Sequence, residues 1–257
     1  MLTLVGVCAA EPQTLSIVSY NVLERPLHRQ ERIPALLKVL EQAQADVYLL
    51  QEVTPWFAAE LTSQPWTKGY RQVEIAGEPL PQGQFFVLSR WPVVGAALVE
   101  MPTNLGRCGL VVDLDIGGRR WRMGNVHLDS MLEDGPVRAQ QLQAMFAALR
   151  GPDEALLVGD FNFGDGEPES SALEPGFVDA WKLVKPQDPG FTWDITRSAM
   201  ARNGSFPGEP SRRLDRILVR STGWRPASAS LLGDQPITPG SVIFPSDHFG
   251  LRVELTR

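Results

Sequence analysis

The feature that most constrains the fold is a strand, helix, strand pattern near the start of the chain. Residues 14–20 are rich in β-branched and aromatic side chains, which is typical of a strand. Residues 31–43 repeat apolar side chains at the spacing of one helical face, and residues 46–51 form a short apolar segment typical of a buried strand. This order begins an open sheet, which places its sites at the carboxyl ends of its strands.

Further segments extend this pattern over the rest of the chain. A second amphipathic helix is predicted at 136–149, and Gly117-Gly118 is a hairpin turn signal between two strands. The further predicted strands are 85–88, 93–99, 108–116, 119–127, 155–159, 191–194, 213–219, 224–232 and 251–255. Many strands with few helices predict an α/β fold of two packed β-sheets flanked by helices, a four-layer α/β/β/α sandwich.

Polar side chains stand at the ends of several of these strands. The set comprises Asn21, Glu52, His127, Asp160 with Asn162, Asp215, and Asp247 with His248. Each of them alone has an ordinary structural explanation, such as an Asx turn, a charge at a helix start or a satisfied buried histidine. Their repeated placement at strand ends indicates a shared site.

Composition narrows the chemistry of that site. The chain has 257 residues, 43% of them hydrophobic, and a net charge of -6. An acidic balance argues against tight non-specific DNA binding and leaves carboxylates for a divalent cation. The two cysteines form no disulfide framework, and no HExxH or cysteine-histidine cluster indicates zinc. Carboxylate and carboxamide oxygens are instead the ligands that Mg²⁺ prefers, with Mn²⁺ as the alternative.

The N-terminus allows two interpretations. Residues 1–10 are mostly apolar and end in Cys-Ala-Ala, as the remnant of a clipped secretory signal would, but they lack a basic segment. We therefore expect an N-terminal extension at 1–13, one catalytic domain at 14–257 and a cytoplasmic monomer, with export as the alternative. No run reaches the roughly 18 apolar residues of a membrane span.

Six short strings resemble the motifs of the endonuclease/exonuclease/phosphatase superfamily, in the order of that superfamily. They are Ser19-Tyr-Asn21, Leu50-Gln-Glu52, Val126-His127-Leu128, Val158-Gly-Asp160-Phe-Asn162, Leu214-Asp215-Arg216-Ile217 and Ser246-Asp247-His248. Further strings around them are most similar to the 5′-tyrosyl-DNA phosphodiesterase subfamily. Two positions depart from that subfamily: Phe161 replaces a small polar residue, and Val22 begins a segment where Asp-Gly is expected.

The resemblance implies a metal side and a water side for the site. Glu52 would bind Mg²⁺ with support from Asp247, and Asn21 would contact the metal or the phosphate. Asp160 would orient and activate the attacking water. Asn162 would hold that carboxylate and a phosphate oxygen.

The remaining roles concern the phosphoryl group. His248 would stabilise charge in the transition state, with Asp215 fixing its tautomer, and His127 would donate to the phosphate. Arg107 is expected to contact the phosphate, and Trp193 to form an apolar wall against a sugar or base.

These roles predict a Mg²⁺-dependent phosphodiesterase acting on a nucleic-acid phosphate ester, with a 5′-phosphotyrosyl DNA end as the leading substrate. One alternative is another superfamily activity, either a general nuclease or a phosphatase of lipid or inositol phosphates. The other is a catalytically silent binding protein.

Overall fold

The computed structural model describes residues 12–75, 78–79 and 84–257, so the apolar segment 1–10 lies outside the described residues. Strands and helices within it are numbered in chain order. The strands are β1 Thr14–Asn21, β2 Val47–Gln51, β3 Arg71–Gln72, β4 Glu74–Ile75, β5 Glu78–Pro79, β6 Phe85–Ser89, β7 Val93–Val99, β8 Gly109–Ile116, β9 Arg119–His127, β10 Glu154–Asp160, β11 Val178–Asp179, β12 Asp215–Arg220, β13 Arg225–Leu232 and β14 Gly250–Thr256. The α-helices are α1 Arg29–Ala43, α2 Pro55–Thr62, α3 Gly135–Ala148, α4 Ala180–Val184 and α5 Ala199–Gly204.

Two six-stranded mixed sheets confirm the predicted fold class. The first has the order β13-β14-β1-β2-β6-β3, and the second has the order β11-β12-β10-β9-β8-β7. In each sheet the central pair is parallel, β1 with β2 and β9 with β10, whereas the neighbouring pairs are antiparallel. Strand β4 pairs only with β5 in the described part of the chain.

Apolar side chains on both faces of each sheet create the four layers. Between the sheets, residues such as Ile17 and Leu49 of the first sheet join a core with Met123 and Val158 of the second. On the outer face of the first sheet the apolar stripes of α1 and α2 are buried, and α3 packs on the outer face of the second sheet. This alternation of side chains along each strand explains why the central strands read as continuous apolar segments.

The parallel pairs bring the polar strand ends together. In the first sheet Asn21 lies beside Gln51, directly before Glu52. In the second sheet Asp160 lies between His127 and Asp215, its register partners on the two neighbouring strands. The predicted site residues therefore converge at one end of the sandwich, as expected for the carboxyl ends of parallel strands.

One predicted strand differs from the structure, and one predicted domain boundary stays a prediction. The segment 191–194 is not a strand, because only an isolated bridge joins Trp193 to Arg212. The division of the chain at residue 13 stays a prediction, although β1 does begin at Thr14. Among the described residues, no helix combines the length and the apolarity that crossing a membrane requires.

An ion cluster around two buried arginines, Arg213 and Arg216, attaches the loop after β10 to β12 and α4. Arg213, which is 1% exposed at its side chain, donates to Asp165 at 2.7 Å and to Asp179 at 2.8 Å. Arg216 and Lys182 also lie within 3.3 Å and 2.7 Å of the Asp165 carboxylate. Burial opposes ionisation of Asp165, but these cations hold its pKa well below the usual range.

We expect Asp165→Asn to destabilise the fold at neutral pH and to have less effect in acid. The pKa of this carboxyl is depressed in the folded state, so its stabilisation is present above the unfolded pKa of about 4 and is lost as pH falls towards the folded value. We expect a loss of about 1–2 kcal/mol at pH 7, at the low end for a charged hydrogen-bonding partner because water screens Asp165.

The measurement is urea unfolding of wild type and variant at pH 7 and at pH 3. The matched control is Asp153→Asn, which changes an exposed carboxylate away from the cluster. Equal unfolding free energies of wild type and Asp165→Asn at pH 7 would contradict the prediction, as would a difference that grows in acid.

Candidate active site

One side-chain amide joins the two sheets at the end of the sandwich. The Nδ2 of Asn21 donates to Oε1 of Glu52 at 3.0 Å and to Oδ2 of Asp160 at 3.0 Å. Its Oδ1 accepts from the backbone N–H of Leu23 at 3.1 Å, which fixes the orientation of the amide. Both donor hydrogens of this amide therefore point at carboxylates, one from each sheet.

Glu52 occupies a left-handed backbone position, with φ of 59°, immediately after β2. Its second carboxylate oxygen accepts from the backbone N–H of Glu24 at 2.8 Å. Burial and the nearby Asp247 carboxylate raise the pKa of Glu52 above its usual range. A cation in the adjoining cleft would stabilise the ionised form of a carboxylate whose pKa is raised in this way.

Asp160 lies at the centre of the constellation and is 1% exposed. Its Oδ2 faces the Nε2 atoms of His127 at 3.4 Å and His248 at 3.6 Å. Burial opposes ionisation, but the charge of His248 lowers the pKa of Asp160 below its usual range. Asp160 is therefore an ionised carboxylate and can accept a proton.

His248 and Asp215 form the pair that the sequence predicted. The Nδ1 of His248 donates to Oδ2 of Asp215 at 2.8 Å, so the other ring nitrogen faces Asp160. Burial would lower the pKa of His248, but the Asp215 and Asp160 carboxylates outweigh it and raise the pKa to about 10. The ring is an imidazolium near neutral pH.

His127 lies at the same edge in the opposite protonation state. Burial, and then the charge of Arg107, lower its pKa to about 3, so its imidazole is neutral. Its Nε2 lies 3.8 Å from Oε1 of Glu52 and 3.4 Å from Oδ2 of Asp160. A neutral ring with Nε2 protonated is a hydrogen-bond donor directed at the centre of the site.

Asn162 holds the Asp160 carboxylate through its backbone and not through its side chain. The backbone N–H of Asn162 donates to Oδ1 of Asp160 at 2.9 Å, whereas the side-chain amide donates to the carbonyl of Leu128 at 2.8 Å. Asn162 adopts a left-handed backbone conformation here, with φ of 55°. The side-chain oxygen is the atom left over for other contacts.

The remaining predicted residues line the cleft. Arg107 donates to the carbonyl of Leu128 and lies 3.4 Å from Oγ of Ser130. Trp193 packs its ring on His248, with centroids 4.9 Å apart. Asp247 lies 3.6 Å from Nη2 of Arg25, and its influence on Glu52 is electrostatic.

The cleft itself has a volume of about 210 Å³ and adjoins a second cavity of about 350 Å³. Eight of the ten predicted site residues line the cleft. The other two, Asn21 and Asp215, are buried behind its wall. Sequence reasoning did not assign the other lining residues, which are Arg25, Ser130, Met131, Gly204, Phe206, Glu209, Arg212 and Leu214. Most of these lie in loops without periodicity. Leu214 falls within one of the six motif strings and therefore carried a usable signal.

The two departures from the subfamily pattern have different consequences. Phe161 is fully buried and packs with Phe163 in the core under α3, so it does not face the cleft. The segment that begins at Val22 does reach the site, because it supplies the N–H of Glu24 to Glu52 and the cation of Arg25 to Asp247.

Two sets of residues are candidates for holding a metal. Among the described residues, ligand atoms of Asp160, Asp215 and His248 lie within 4.8 Å of one another. In that group the Asp215 carboxylate lies behind the imidazole and accepts a hydrogen bond from its Nδ1. Glu52 instead directs a partly exposed carboxylate into the cleft. Its oxygen donors fit a hard cation such as Mg²⁺.

Comparison with known proteins finds relatives of similar sequence and solved structures of similar fold. Tyrosyl-DNA phosphodiesterase 2 of Rattus norvegicus is 28% identical over 260 residues, which cover 96% of this chain and 68% of the relative. The crystal structure of D. rerio TDP2 complexed with single strand DNA product superposes with a TM-score of 0.82 at 23% identity, over 96% of this chain and 100% of that chain. Mannosyl-6-phosphatase of Bacteroides thetaiotaomicron shares the fold, with a TM-score of 0.72 at 18% identity, over 95% and 100% of the two chains.

Residues 18–248 match the family model described as Endonuclease/Exonuclease/phosphatase family. The match spans both sheets and begins and ends at the strands and loops that carry the constellation, from β1 to His248. The chain therefore belongs to the endonuclease/exonuclease/phosphatase family.

Proposed function

We propose that this chain is a Mg²⁺-dependent phosphodiesterase that hydrolyses the bond between a tyrosine and the 5′-phosphate of DNA. The observation that carries the proposal is the meeting of Glu52, Asp160 and His248 in one cleft, from strands of both sheets. The substrate is taken from the name of the relative from Rattus norvegicus and from the DNA product bound in the D. rerio structure.

Glu52 is the residue proposed to hold the metal, with Asp247 supporting that side of the cleft. Asn21 and the backbone N–H of Glu24 orient both oxygens of Glu52, which leaves the carboxylate little freedom to turn away. When bound, the cation neutralises phosphate oxygens and the charge that develops on the leaving oxygen. Mn²⁺ accepts the same oxygen ligands and is the alternative.

Asp160 is proposed to take the proton of the attacking water. Its Oδ1 is held by the backbone N–H of Asn162, and Asn21 holds its Oδ2, so the carboxylate has a fixed direction. Its lowered pKa keeps the carboxylate ionised at neutral pH, which is the form that a proton acceptor needs.

Three donors are proposed to stabilise the phosphoryl group. The imidazolium of His248, held by Asp215, donates charge-assisted hydrogen bonds to the oxygens that gain charge in the transition state. His127 adds a neutral donor, and Arg107 adds a cation at the junction of the two cavities. The preorganised groups act strongly because the site is largely shielded from water.

The leaving group and the nucleic acid are proposed to lie along the apolar wall of the cleft. Trp193 and the partly exposed Phe206 line this wall and suit the ring of a tyrosine, a sugar or a base. The expected cytoplasmic location and monomeric state stay predictions.

The runner-up function is another activity of the same family. The fold that this chain shares with mannosyl-6-phosphatase makes a phosphomonoesterase a concrete rival, and a general nuclease or lipid phosphatase would use the same constellation. The segment from Val22 to Arg25, which departs from the subfamily pattern and touches the site, is where such a difference in specificity would arise.

We expect the purified chain with Mg²⁺ to release tyrosine from a 5′-tyrosyl oligonucleotide, and EDTA to abolish the release. An abasic duplex, a sugar 6-phosphate and a lipid phosphodiester, each assayed with and without EDTA, serve as rival substrates. Faster turnover of any rival would replace the proposed substrate. Turnover that survives EDTA would reject the metal, and no turnover of any of them would favour a silent binding protein.

We expect Glu52→Gln and His248→Ala each to lower turnover by roughly 10²-fold or more, since both groups act on charge in the transition state. Steady-state rates on the 5′-tyrosyl oligonucleotide provide the measurement. The control is Glu41→Gln, which removes an exposed carboxylate on α1. A variant with the rate of the wild type removes that residue from the site.

A further inference from the structure

A pair of buried amides lies directly beneath the cleft. Nε2 of Gln51 donates to Oδ1 of Asn125 at 2.7 Å, and Nδ2 of Asn125 donates to the backbone carbonyl of Leu50 at 3.2 Å. Both side chains are 0% exposed. Gln51 is the last residue of β2 in the first sheet, and Asn125 belongs to β9 in the second, so these bonds run from sheet to sheet.

Most side chains around this amide pair are apolar, although Oγ of the buried Ser19 lies 3.4 Å from Nε2 of Gln51. The core between the sheets places Leu49 on the same face of β2 and Met123 on the same face of β9, with Val158 alongside on β10. Apolar contacts have no preferred direction, so a small slide of one sheet over the other changes their free energy less than it changes that of a hydrogen bond. Two hydrogen bonds with defined donors and acceptors do not tolerate such movements, because their strength falls steeply with distance and angle.

The amide pair lies so close to the site residues along the strands that its position affects theirs. Gln51 immediately precedes Glu52, and Asn125 lies two residues before His127 on the strand next to Asp160. A shift between the sheets at this level is therefore passed directly to the separation of Glu52 from Asp160. Among the described residues, the amide of Asn21 is the side chain that donates hydrogen bonds directly to both of those acids.

Stability alone does not account for the amide pair. Replacing both partners of a buried hydrogen bond by apolar groups of similar shape is often neutral or even stabilising. A site for a metal and a phosphate, in contrast, needs its groups within about 0.5 Å of the productive geometry. The amide pair is thus better suited to fixing geometry than to supporting the fold.

We propose that Gln51 and Asn125 are positioning residues that set the gap between the two sheets at the metal end, and thereby the affinity of the site for its cation. The inference rests on the proposed metal site. It makes a claim that the proposed function does not: that metal affinity depends on two side chains which touch neither metal nor substrate.

The test is the double variant Gln51→Met/Asn125→Leu, with Mn²⁺ alone as the probe. We expect its Mn²⁺ dissociation constant, measured by electron paramagnetic resonance without substrate, to rise about tenfold, since small misplacements of site groups have effects of that order or larger. We expect the urea midpoint of unfolding to stay at or above that of the wild type. Turnover should fall with kcat affected more than KM.

Two further variants keep the test decisive. The control Leu49→Met changes an apolar residue on the same face of the same strand, and we expect it to leave Mn²⁺ affinity unchanged. The exchanged pair, Gln51→Asn with Asn125→Gln, keeps two amides between the sheets. We expect it to bind Mn²⁺ more tightly than the apolar pair. If the apolar pair does not fold, the Mn²⁺ affinity of the exchanged pair is compared with that of the wild type.

The outcomes separate this inference from the proposed function. Wild-type protein that binds no Mn²⁺ removes the metal mechanism itself. A wild type that binds Mn²⁺, together with an apolar pair that binds it equally well, overturns the positioning role. That role is also overturned if Leu49→Met loses as much affinity as the apolar pair, or if the exchanged pair recovers none.

Discussion

The arrangement of the candidate active site depends on one amide nitrogen that donates hydrogen bonds to two carboxylates. Asn21 holds Glu52 and Asp160 at 3.0 Å each, although the two acids come from different sheets and repel each other. Two carboxylates that share one amide nitrogen are both stable as anions only when donors and positive charge surround them. The hydrogen bonds of Asn21 and the charge of His248 meet part of that requirement, and the proposed cation would meet the rest. Substrate phosphate adds negative charge and strengthens the same requirement.

The two histidines beside these carboxylates have opposite protonation states. His248 lies between Asp215 and Asp160 and keeps its proton, with a pKa of about 10. His127, whose side chain is 11% exposed, lies near the charge of Arg107, and burial together with that charge lowers its pKa to about 3. One imidazole thus contributes charge and the other contributes only a donor. The difference comes from the neighbours of each ring and not from the residue type, which is the same.

Buried arginines hold the loops that surround these side chains. Arg32 on α1 is 0% exposed and donates to five backbone carbonyls, four in the segment from Val22 to Leu27 and one at Pro245. It thereby fixes the segment that bonds Glu52 and the approach to Asp247. Arg213 plays a similar part for the loop after Asp160 through its ion pairs with Asp165 and Asp179. The rigid sandwich sets the distances, and these arginines extend its rigidity to the connections.

The sequence by itself determined the layers, the parallel strand ends and most of the site. Those features depend on periods of two and 3.6 residues and on short motifs, which are local and can be read along the chain. Only the tertiary structure decided that the backbone of Asn162 holds Asp160, that Phe161 faces the core, and that Gln51 meets Asn125 across the sandwich. These contacts depend on backbone angles and on the register between two sheets, and residues 74 positions apart carry no local sign that they will meet.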